Sequence, residues 1–257
     1  MPEIGLGTWL IDNDTIYRVF MDALKLGYTH FDSAQDYFNE ENLGKAIKEC
    51  GVPRESLFIT SKVASHHKSY EAAKKSIQIS LEKLGDYIDC MLIHCPKPWK
   101  EYHLNGKYNY FQENKQVWKA LEEFYYAGKL KSIGVSNFSI ADIKNLLEDC
   151  RVKPMVNQIP VWIGNTDREL IKYCQNEGII VQAYSPIAHG RALKSSFIKG
   201  YADKYGVSIS QFCLKYTLQL GLVTLPKTTN ADHMKENLEL NFKISEEDMK
   251  VLTIYKE

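Results

Sequence analysis

Residues 57–94, LFITSKVASHHKSYEAAKKSIQISLEKLGDYIDCMLIH, contain a strand, a helix and a second strand in succession. The apolar runs at 57–63 and 88–94 have the length of buried β-strands. Between them, residues 69–84 carry mostly helix-forming side chains. A helical connection of this length joins parallel strands rather than a hairpin, so the segment predicts a βαβ unit.

The same alternation of strand and helix repeats along the whole chain. The runs predicted as strands are residues 3–8, 28–32, 57–63, 88–94, 132–135, 155–158, 179–184 and 223–226. Eight parallel strands can close into a barrel without leaving edges, and such a barrel typically occupies about 250 residues. The 257-residue chain is therefore predicted to be an α/β protein, a single-domain (β/α)8 TIM barrel over residues 1–257.

An open, doubly wound sheet is the competing architecture. Gly5-Leu6-Gly7 begins like a dinucleotide-binding fingerprint, but Thr8, Trp9 and Leu10 follow without the third glycine. Because that fingerprint needs three glycines and a downstream acid, any nucleotide is expected to be held in another way.

Charge and composition indicate a small-molecule partner. The chain has 32 basic and 32 acidic residues with no run of five or six like charges, so neither nucleic acid nor an anionic membrane is indicated. No signal-peptide pattern and no 18-residue apolar stretch occur, which favours a cytoplasmic protein. The six cysteines lack zinc spacing, and the adjacent His66 and His67 have no third ligand, so no metal is expected.

Four polar side chains stand at or just after the carboxyl ends of predicted strands, where such barrels gather their catalytic groups. Asp32 ends one strand and Tyr37 follows it, while Lys62 lies one residue before the end of the next strand and His94 ends the one after that. We expect Asp32 to hold the Lys62 ammonium, and the ammonium to make the Tyr37 phenol more acidic. Tyr37 would then protonate a carbonyl oxygen that His94 orients. Taken singly, each residue also fits an ordinary structural role: Asp32 as a cap or turn residue, Lys62 as a solvated charge, Tyr37 as a packed ring and His94 as a rim histidine.

Three further segments carry local predictions. Residues 96–113 form the longest stretch without a helix or strand pattern and are rich in aromatic side chains. Loops of this length are usually functional, so these rings are expected either to line a substrate cleft or to cover the barrel rim. Residues 196–220 are predicted as one helical stretch, and Asp14 as the cap of a helix over 15–25.

Three motifs resemble the signatures of the aldo-keto reductases. They are FDSAQDY at 31–37 with Asn39 and Glu40 after it, the segment 81–96 with LGDYID at 84–89 and LIH at 92–94, and LPKT at 225–228. The resemblance covers nearly the whole chain and implies a (β/α)8 barrel that reduces carbonyls with a nicotinamide cofactor and without metal. It gives Tyr37 the role of general acid. Asp32 and Lys62 would tune that acid, and His94 would position the carbonyl.

The resemblance also implies a set of cofactor contacts beside the later strands. Ser136, Asn137 and Gln158 match residues that hydrogen-bond the nicotinamide carboxamide, and Tyr184 matches the aromatic side chain that stacks on the nicotinamide ring. The full set of predicted cofactor residues is Ser136, Asn137, Gln158, Tyr184, Ser185, Lys227, Thr228, His233 and Asn237.

The adenosine end of the cofactor depends on the last motif. Lys227 and Thr228 match the pair that holds the 2′-phosphate of NADPH, and Asn237 matches a residue near the adenine. His233 stands where the family usually has a phosphate-binding arginine, and an imidazole cannot form the two-pronged contact of a guanidinium. NADPH is therefore the expected cofactor, with NADH as an alternative.

Three residues, together with the segments 96–113 and 187–192, are predicted to contact the substrate. Cys95 replaces the tryptophan that commonly follows the catalytic histidine of the family, so the pocket is expected to be roomier there. Trp9 and Phe38 are the other two, although Trp9 also fits a rim residue that covers the first strand. The predicted activity is reduction of small aldehydes and ketones, with α-dicarbonyls and keto-sugars as candidates, by a monomer or weak homodimer.

Two other functions stay open on the sequence. A barrel that binds the nucleotide without useful turnover would keep the fold and the cofactor residues. A Schiff-base aldolase would use Lys62 as its nucleophile. Such an aldolase would have no use for Tyr184 or for the phosphate site at Lys227 and Thr228.

Overall fold

The computed structural model describes residues 1–104 and 108–256. In this part of the chain, eight parallel strands form one sheet in sequential order. They are β1 Leu6–Gly7, β2 His30–Asp32, β3 Phe58–Val63, β4 Cys90–Ile93, β5 Ile133–Ser136, β6 Val156–Pro160, β7 Ile180–Tyr184 and β8 Val223–Leu225. The predicted (β/α)8 barrel is confirmed.

Backbone hydrogen bonds between the first and last strands close the sheet. Ile4 pairs in parallel with Thr224. The Gly5 amide donates to the Thr224 carbonyl at 3.0 Å, and the Gly7 amide donates to the Pro226 carbonyl at 2.9 Å. The sheet thereby pairs its own two edges, which is how a barrel avoids presenting unpaired strands.

Helices connect the strands and cover the sheet. They are α1 Asn13–Lys25, α2 Glu40–Glu49, α3 Tyr70–Leu84, α4 Trp99–His103, α5 Phe111–Tyr126, α6 Ile140–Leu147, α7 Arg168–Asn176, α8 Ser196–Tyr205, α9 Ile209–Gln219, α10 Ala231–Glu236 and α11 Glu246–Ile254. Each of the longer ones buries an apolar stripe, such as Ile16, Val19 and Phe20 of α1. These stripes join the strand side chains in one large core.

Two predicted helix boundaries are wrong. The cap of α1 is Asp12, not Asp14: the Asp12 side chain accepts a hydrogen bond from the Thr15 amide at 2.8 Å, and the helix begins two residues earlier than predicted. The stretch 196–220 is two helices. Gly206, in the left-handed conformation, ends α8, and Ser208 starts α9 through a capping box.

The aromatic stretch at 96–113 is more regular than predicted. It contains α4 and the beginning of α5, which starts at Phe111. Residues 105–107, inside this stretch, lie outside the described part of the chain. The helix α4 matters for the site because it carries Trp99 to the mouth of the barrel.

Close packing and burial also shape regions away from the mouth. A Cβ atom on Gly44 of α2 would collide with the carbonyl oxygen of Lys83, so the approach of α2 to α3 requires glycine.

His30, at the start of β2, is fully buried, with its Nε2 3.3 Å from Thr60 Oγ1 and its Nδ1 3.3 Å from the Pro2 carbonyl. Burial lowers the pKa of His30 to about 4.

Membrane-spanning helices and metal-binding clusters are both absent from residues 1–104 and 108–256. No helix there is long and apolar enough to cross a membrane. No group of three or more His, Cys, Asp or Glu side chains there could hold a metal ion.

Candidate active site

A cavity of about 750 Å³ opens at the carboxyl ends of the strands. Asp32, the last residue of β2, lines it together with His94, which directly follows β4. Tyr37 reaches the cavity from a short 3-10 turn after β2, and Lys62, in β3, is fully buried beside them. The structure therefore brings the four predicted catalytic residues together at one end of the barrel.

Lys62 is held by three hydrogen bonds. Its Nζ donates to Asp32 Oδ2 at 2.7 Å, to the Ser33 carbonyl at 2.8 Å and to the Tyr37 hydroxyl at 3.3 Å. The other Asp32 oxygen accepts a bond from Gln158 Nε2 at 2.7 Å. Burial lowers the pKa of Lys62, and the Asp32 carboxylate opposes that shift. The ammonium is thus fixed in position and oriented towards the phenol.

Tyr37 differs from the expectation in one respect. The prediction that Lys62 makes this phenol more acidic is wrong for the net shift: burial raises the pKa of Tyr37 well above 10, and the Asp32 and Asp36 carboxylates raise it further. The main reason is desolvation, because the buried position of the hydroxyl disfavours the charged phenolate. Tyr37 therefore keeps its proton at neutral pH, as a proton donor must.

Asp36, beside His94, was not predicted from the sequence, whereas Trp99 belongs to the aromatic stretch 96–113 that was expected either to line a substrate cleft or to cover the rim. Asp36 Oδ2 lies 3.2 Å from His94 Nδ1, a close approach without hydrogen-bond alignment, and accepts a bond from Trp99 Nε1 at 3.1 Å. The Trp99 ring stands edge-on to His94 with centroids 5.0 Å apart. Burial lowers the pKa of His94, and Asp36 opposes that shift. Asp36 stands directly before Tyr37 in the first motif, which is the only sign of it in the sequence.

The predicted nicotinamide contacts form a connected network. Asn137 Nδ2 donates to the His94 carbonyl at 3.0 Å, and the Tyr184 hydroxyl donates to Asn137 Oδ1 at 2.8 Å. Ser136 Oγ donates to the Gln158 carbonyl at 2.9 Å. Ser136, Asn137, Gln158 and Tyr184 all line the cavity, so the structure places this predicted group next to the four predicted catalytic residues.

The remaining predicted cofactor residues extend away from that network. Ser185 and the exposed Lys227 line the cavity. Thr228, His233 and Asn237 do not line it. His233 is exposed on α10, whereas Asn237 is buried. The structure therefore brings Ser185 and Lys227 to the cavity and leaves Thr228, His233 and Asn237 outside its lining.

The three predicted substrate contacts have different positions. Trp9 lines the cavity and packs edge-on against His189, with ring centroids 5.5 Å apart. Phe38 is 84% exposed and does not line the cavity. Cys95 is fully buried and also does not line it. Beside His94, the cavity is lined by the indole of Trp99, which lies on α4 with its ring centroid 5.0 Å from that of His94.

Comparison with known proteins gives the family. The profile of the Aldo/keto reductase family matches residues 3–199 and 194–257. This chain belongs to the aldo-keto reductase family. Glyoxal reductase of Bacillus subtilis (strain 168) is 40% identical over 252 residues, which are 97% of this chain and 87% of that protein.

Solved aldo-keto reductases have the same fold. An enzyme from a Medee basin deep-sea metagenome library matches with a TM-score of 0.90 and 32% identity, over 98% of this chain and 90% of its own. Another aldo-keto reductase, solved in complex with NADPH, matches with a TM-score of 0.89 and 32% identity, over 100% of this chain and 85% of its own. The predicted family is confirmed, the chain is an oxidoreductase of that family, and the prediction of NADPH as cofactor agrees with the second structure.

The side chains around Tyr184 fit the nicotinamide that an aldo-keto reductase has to bind. Asn137 Oδ1 accepts one hydrogen bond and keeps a second lone pair, and Gln158 Oε1 accepts none from the described residues. These free acceptor positions suit the N–H donors of a carboxamide. The Tyr184 ring offers a flat face, and the ammonium of Lys227 offers a charge for phosphate.

Proposed function

We propose that this aldo-keto reductase converts small aldehydes and ketones to alcohols with NADPH, and that Tyr37 is the general acid. The observation that carries the proposal is the distance of 3.3 Å between the Lys62 ammonium and the Tyr37 hydroxyl at the inner end of a cavity. A fixed ammonium beside a phenol stabilises the negative charge that the phenol oxygen gains as it gives up its proton.

Tyr37, Lys62 and His94 have different parts in the reaction. NADPH, when bound, supplies a hydride to the carbonyl carbon. The Tyr37 hydroxyl donates its proton to the carbonyl oxygen, and Lys62 stabilises the phenolate left behind. The raised pKa of Tyr37 does not prevent this step. The carbonyl oxygen gains alkoxide character as its carbon receives the hydride, and an alkoxide is a stronger base than a phenolate. His94 lines the cavity beside Tyr37, with ring centroids 5.5 Å apart, and orients the same oxygen.

Small substrates are favoured by the size of the cavity. Its volume of about 750 Å³ has to hold the nicotinamide end of the cofactor as well as the substrate. We therefore propose α-dicarbonyls and keto-sugars as the first classes to assay. The similarity to glyoxal reductase supports the former.

Schiff-base chemistry at Lys62 is disfavoured. A nucleophilic lysine must be unprotonated and accessible. Lys62 is instead fully buried and donates three hydrogen bonds, one of them to a carboxylate.

The test is Tyr37→Phe, which removes the proton donor and keeps the ring. We expect kcat for carbonyl reduction to fall by about 10²-fold or more, while NADPH binding, followed by fluorescence titration, stays nearly unchanged. Tyr17→Phe is the matched control because the Tyr17 hydroxyl contacts Glu49 on the outside of the barrel. A Tyr37→Phe enzyme that retains most of its kcat would exclude Tyr37 as the acid.

A further inference from the structure

Asp36 places a second carboxylate inside the cavity, close to the reacting groups. Its side chain is 21% exposed, and the residue lines the cavity next to Tyr37. Oδ2 is the oxygen nearest His94, and it also accepts a bond from the Ser65 amide at 3.3 Å. With the indole bond from Trp99, these contacts hold the carboxylate at the mouth rather than leaving it to rotate into solvent.

No Lys or Arg among the described residues that line the cavity forms an ion pair with Asp36. Asp32, the other acid among the cavity-lining residues described, is paired with Lys62 at 2.7 Å. His94 is held largely neutral because burial lowers its pKa. Lys227, the one Lys or Arg among the described lining residues, follows β8, whereas Asp36 contacts the segments after β3 and β4.

Two further histidines face Asp36 from the segment after β3. His66 Nδ1 lies 4.0 Å from Asp36 Oδ1, and its side chain is 66% exposed. His67 interacts with Asp36 over a longer range, and burial lowers the pKa of His67. An exposed imidazole at 4.0 Å screens a carboxylate only weakly. The substrate end of the cavity therefore carries net negative charge at neutral pH.

Aromatic rings complete the surroundings of this charge. Trp9, Trp99, His103 and His189 line the same cavity. Trp99 is held by its bond to Asp36 and stacks against His103, with ring centroids 5.8 Å apart. Aromatic faces together with a carboxylate suit an uncharged or positively charged group, and they oppose a second anion.

We propose that Asp36 makes this enzyme selective for uncharged and cationic carbonyl compounds and against carboxylated or phosphorylated ones. The inference rests on the proposed carbonyl reductase function and specifies its substrate class. Asp36 acts here as a specificity residue through its charge, in addition to its contact with His94. A carboxylate on the substrate would have to enter a partly desolvated space that already holds one.

The experiment compares three aldehydes of similar size and different charge. They are 4-carboxybenzaldehyde, its neutral methyl ester, and 4-(trimethylammonio)benzaldehyde. With NADPH at low salt, we expect kcat/KM of the wild type for the ester to exceed that for the carboxylate by at least about tenfold. The cationic aldehyde should be used at least as well as the ester.

The variant Asp36→Asn removes the charge and preserves the size of the side chain. It should reduce the ester-to-carboxylate ratio of kcat/KM by about tenfold, even where both values change through His94. The matched control is Asp86→Asn, which makes the same change of net charge at an exposed acid before β4, at the opposite end of the barrel. Its ratio should stay within about twofold of the wild type.

The outcomes separate this inference from the proposed function. A wild-type ratio near one, or an Asp36→Asn ratio equal to that of the wild type, would refute the role of Asp36 alone. Failure of the wild type to reduce any of the three aldehydes would refute the proposed function and this inference with it. If Asp36→Asn does not fold, the wild-type ratio is compared at low and high salt, where screening should reduce it; a ratio independent of salt would count against the role of Asp36.

Discussion

Replacing Lys62 by methionine tests the electrostatic argument most directly. The substitution removes the ammonium 3.3 Å from the Tyr37 oxygen and keeps an unbranched side chain of similar length. Two unit charges at that distance interact by about 5 kcal/mol at an effective dielectric constant of about 20. If about half of a unit charge develops on the phenol oxygen in the transition state, the loss is about 2.5 kcal/mol, or roughly 10²-fold in kcat.

The loss of Lys62 also leaves the Asp32 carboxylate without its counter-charge. Asp32 already raises the pKa of Tyr37, so its effect should grow when the ammonium is absent. We therefore expect two changes together. The kcat for reduction falls by about 10²-fold, and the pH profile of the reverse reaction, in which Tyr37 accepts the proton, moves to higher pH.

The assay is steady-state kinetics in both directions, with Lys115→Met as control. Lys115 is also a mostly buried lysine with carboxylate partners, Glu148 and Asp149, and it does not line the cavity. Its replacement should leave kcat within about threefold of the wild type. A Lys62→Met enzyme with normal kcat, or with an unmoved pH profile for alcohol oxidation, would refute the electrostatic role of Lys62.

Two other predictions concern the cofactor and stability. His233→Arg supplies the guanidinium that this chain lacks, so the NADPH-to-NADH ratio of kcat/KM should rise by about tenfold from a wild type that uses NADPH with appreciable NADH activity. An unchanged ratio, or a wild type that prefers NADH by more than about tenfold, would contradict the 2′-phosphate site. His30 has a pKa lowered from 6.5 to about 4, so its neutral form favours folding above pH 6.5 and that contribution is lost as the pH falls towards 4. In urea unfolding, His30→Gln should remove up to about 3 kcal/mol of the acid-dependent loss of stability, and equal pH dependence in both proteins would exclude His30 as a cause.

The architecture and the clustering of Asp32, Tyr37, Lys62 and His94 could be predicted because both follow from local patterns. Asp32 ends β2, Lys62 is the penultimate residue of β3 and His94 directly follows β4, and all parallel strands of a closed barrel point their carboxyl ends to one face. Position along a strand therefore determines position in space. Tyr37 could be placed because only a short 3-10 turn separates it from β2.

The neighbours of His94 could not be predicted in the same way. Trp99 lies on α4, inside a stretch with no regular pattern, and its direction depends on where that short helix docks. The pairing of Trp99 with Asp36 joins residues 63 positions apart. Likewise, the direction of the Tyr37 pKa shift is set chiefly by the burial of its hydroxyl, which depends on tertiary packing that no sequence pattern contains.

Asp32 and Asp36 are two carboxylates near one phenol, and their different partners separate their effects. Both raise the pKa of Tyr37. Asp32 also orients Lys62, which stabilises the phenolate, so its net effect on proton transfer is favourable. Asp36 has no such compensation and should make proton transfer from Tyr37 harder, while it excludes anions from the cavity. A change at Asp36 must therefore alter the rate with every substrate through Tyr37 and His94. Only the ratio between differently charged substrates isolates its contribution to selectivity.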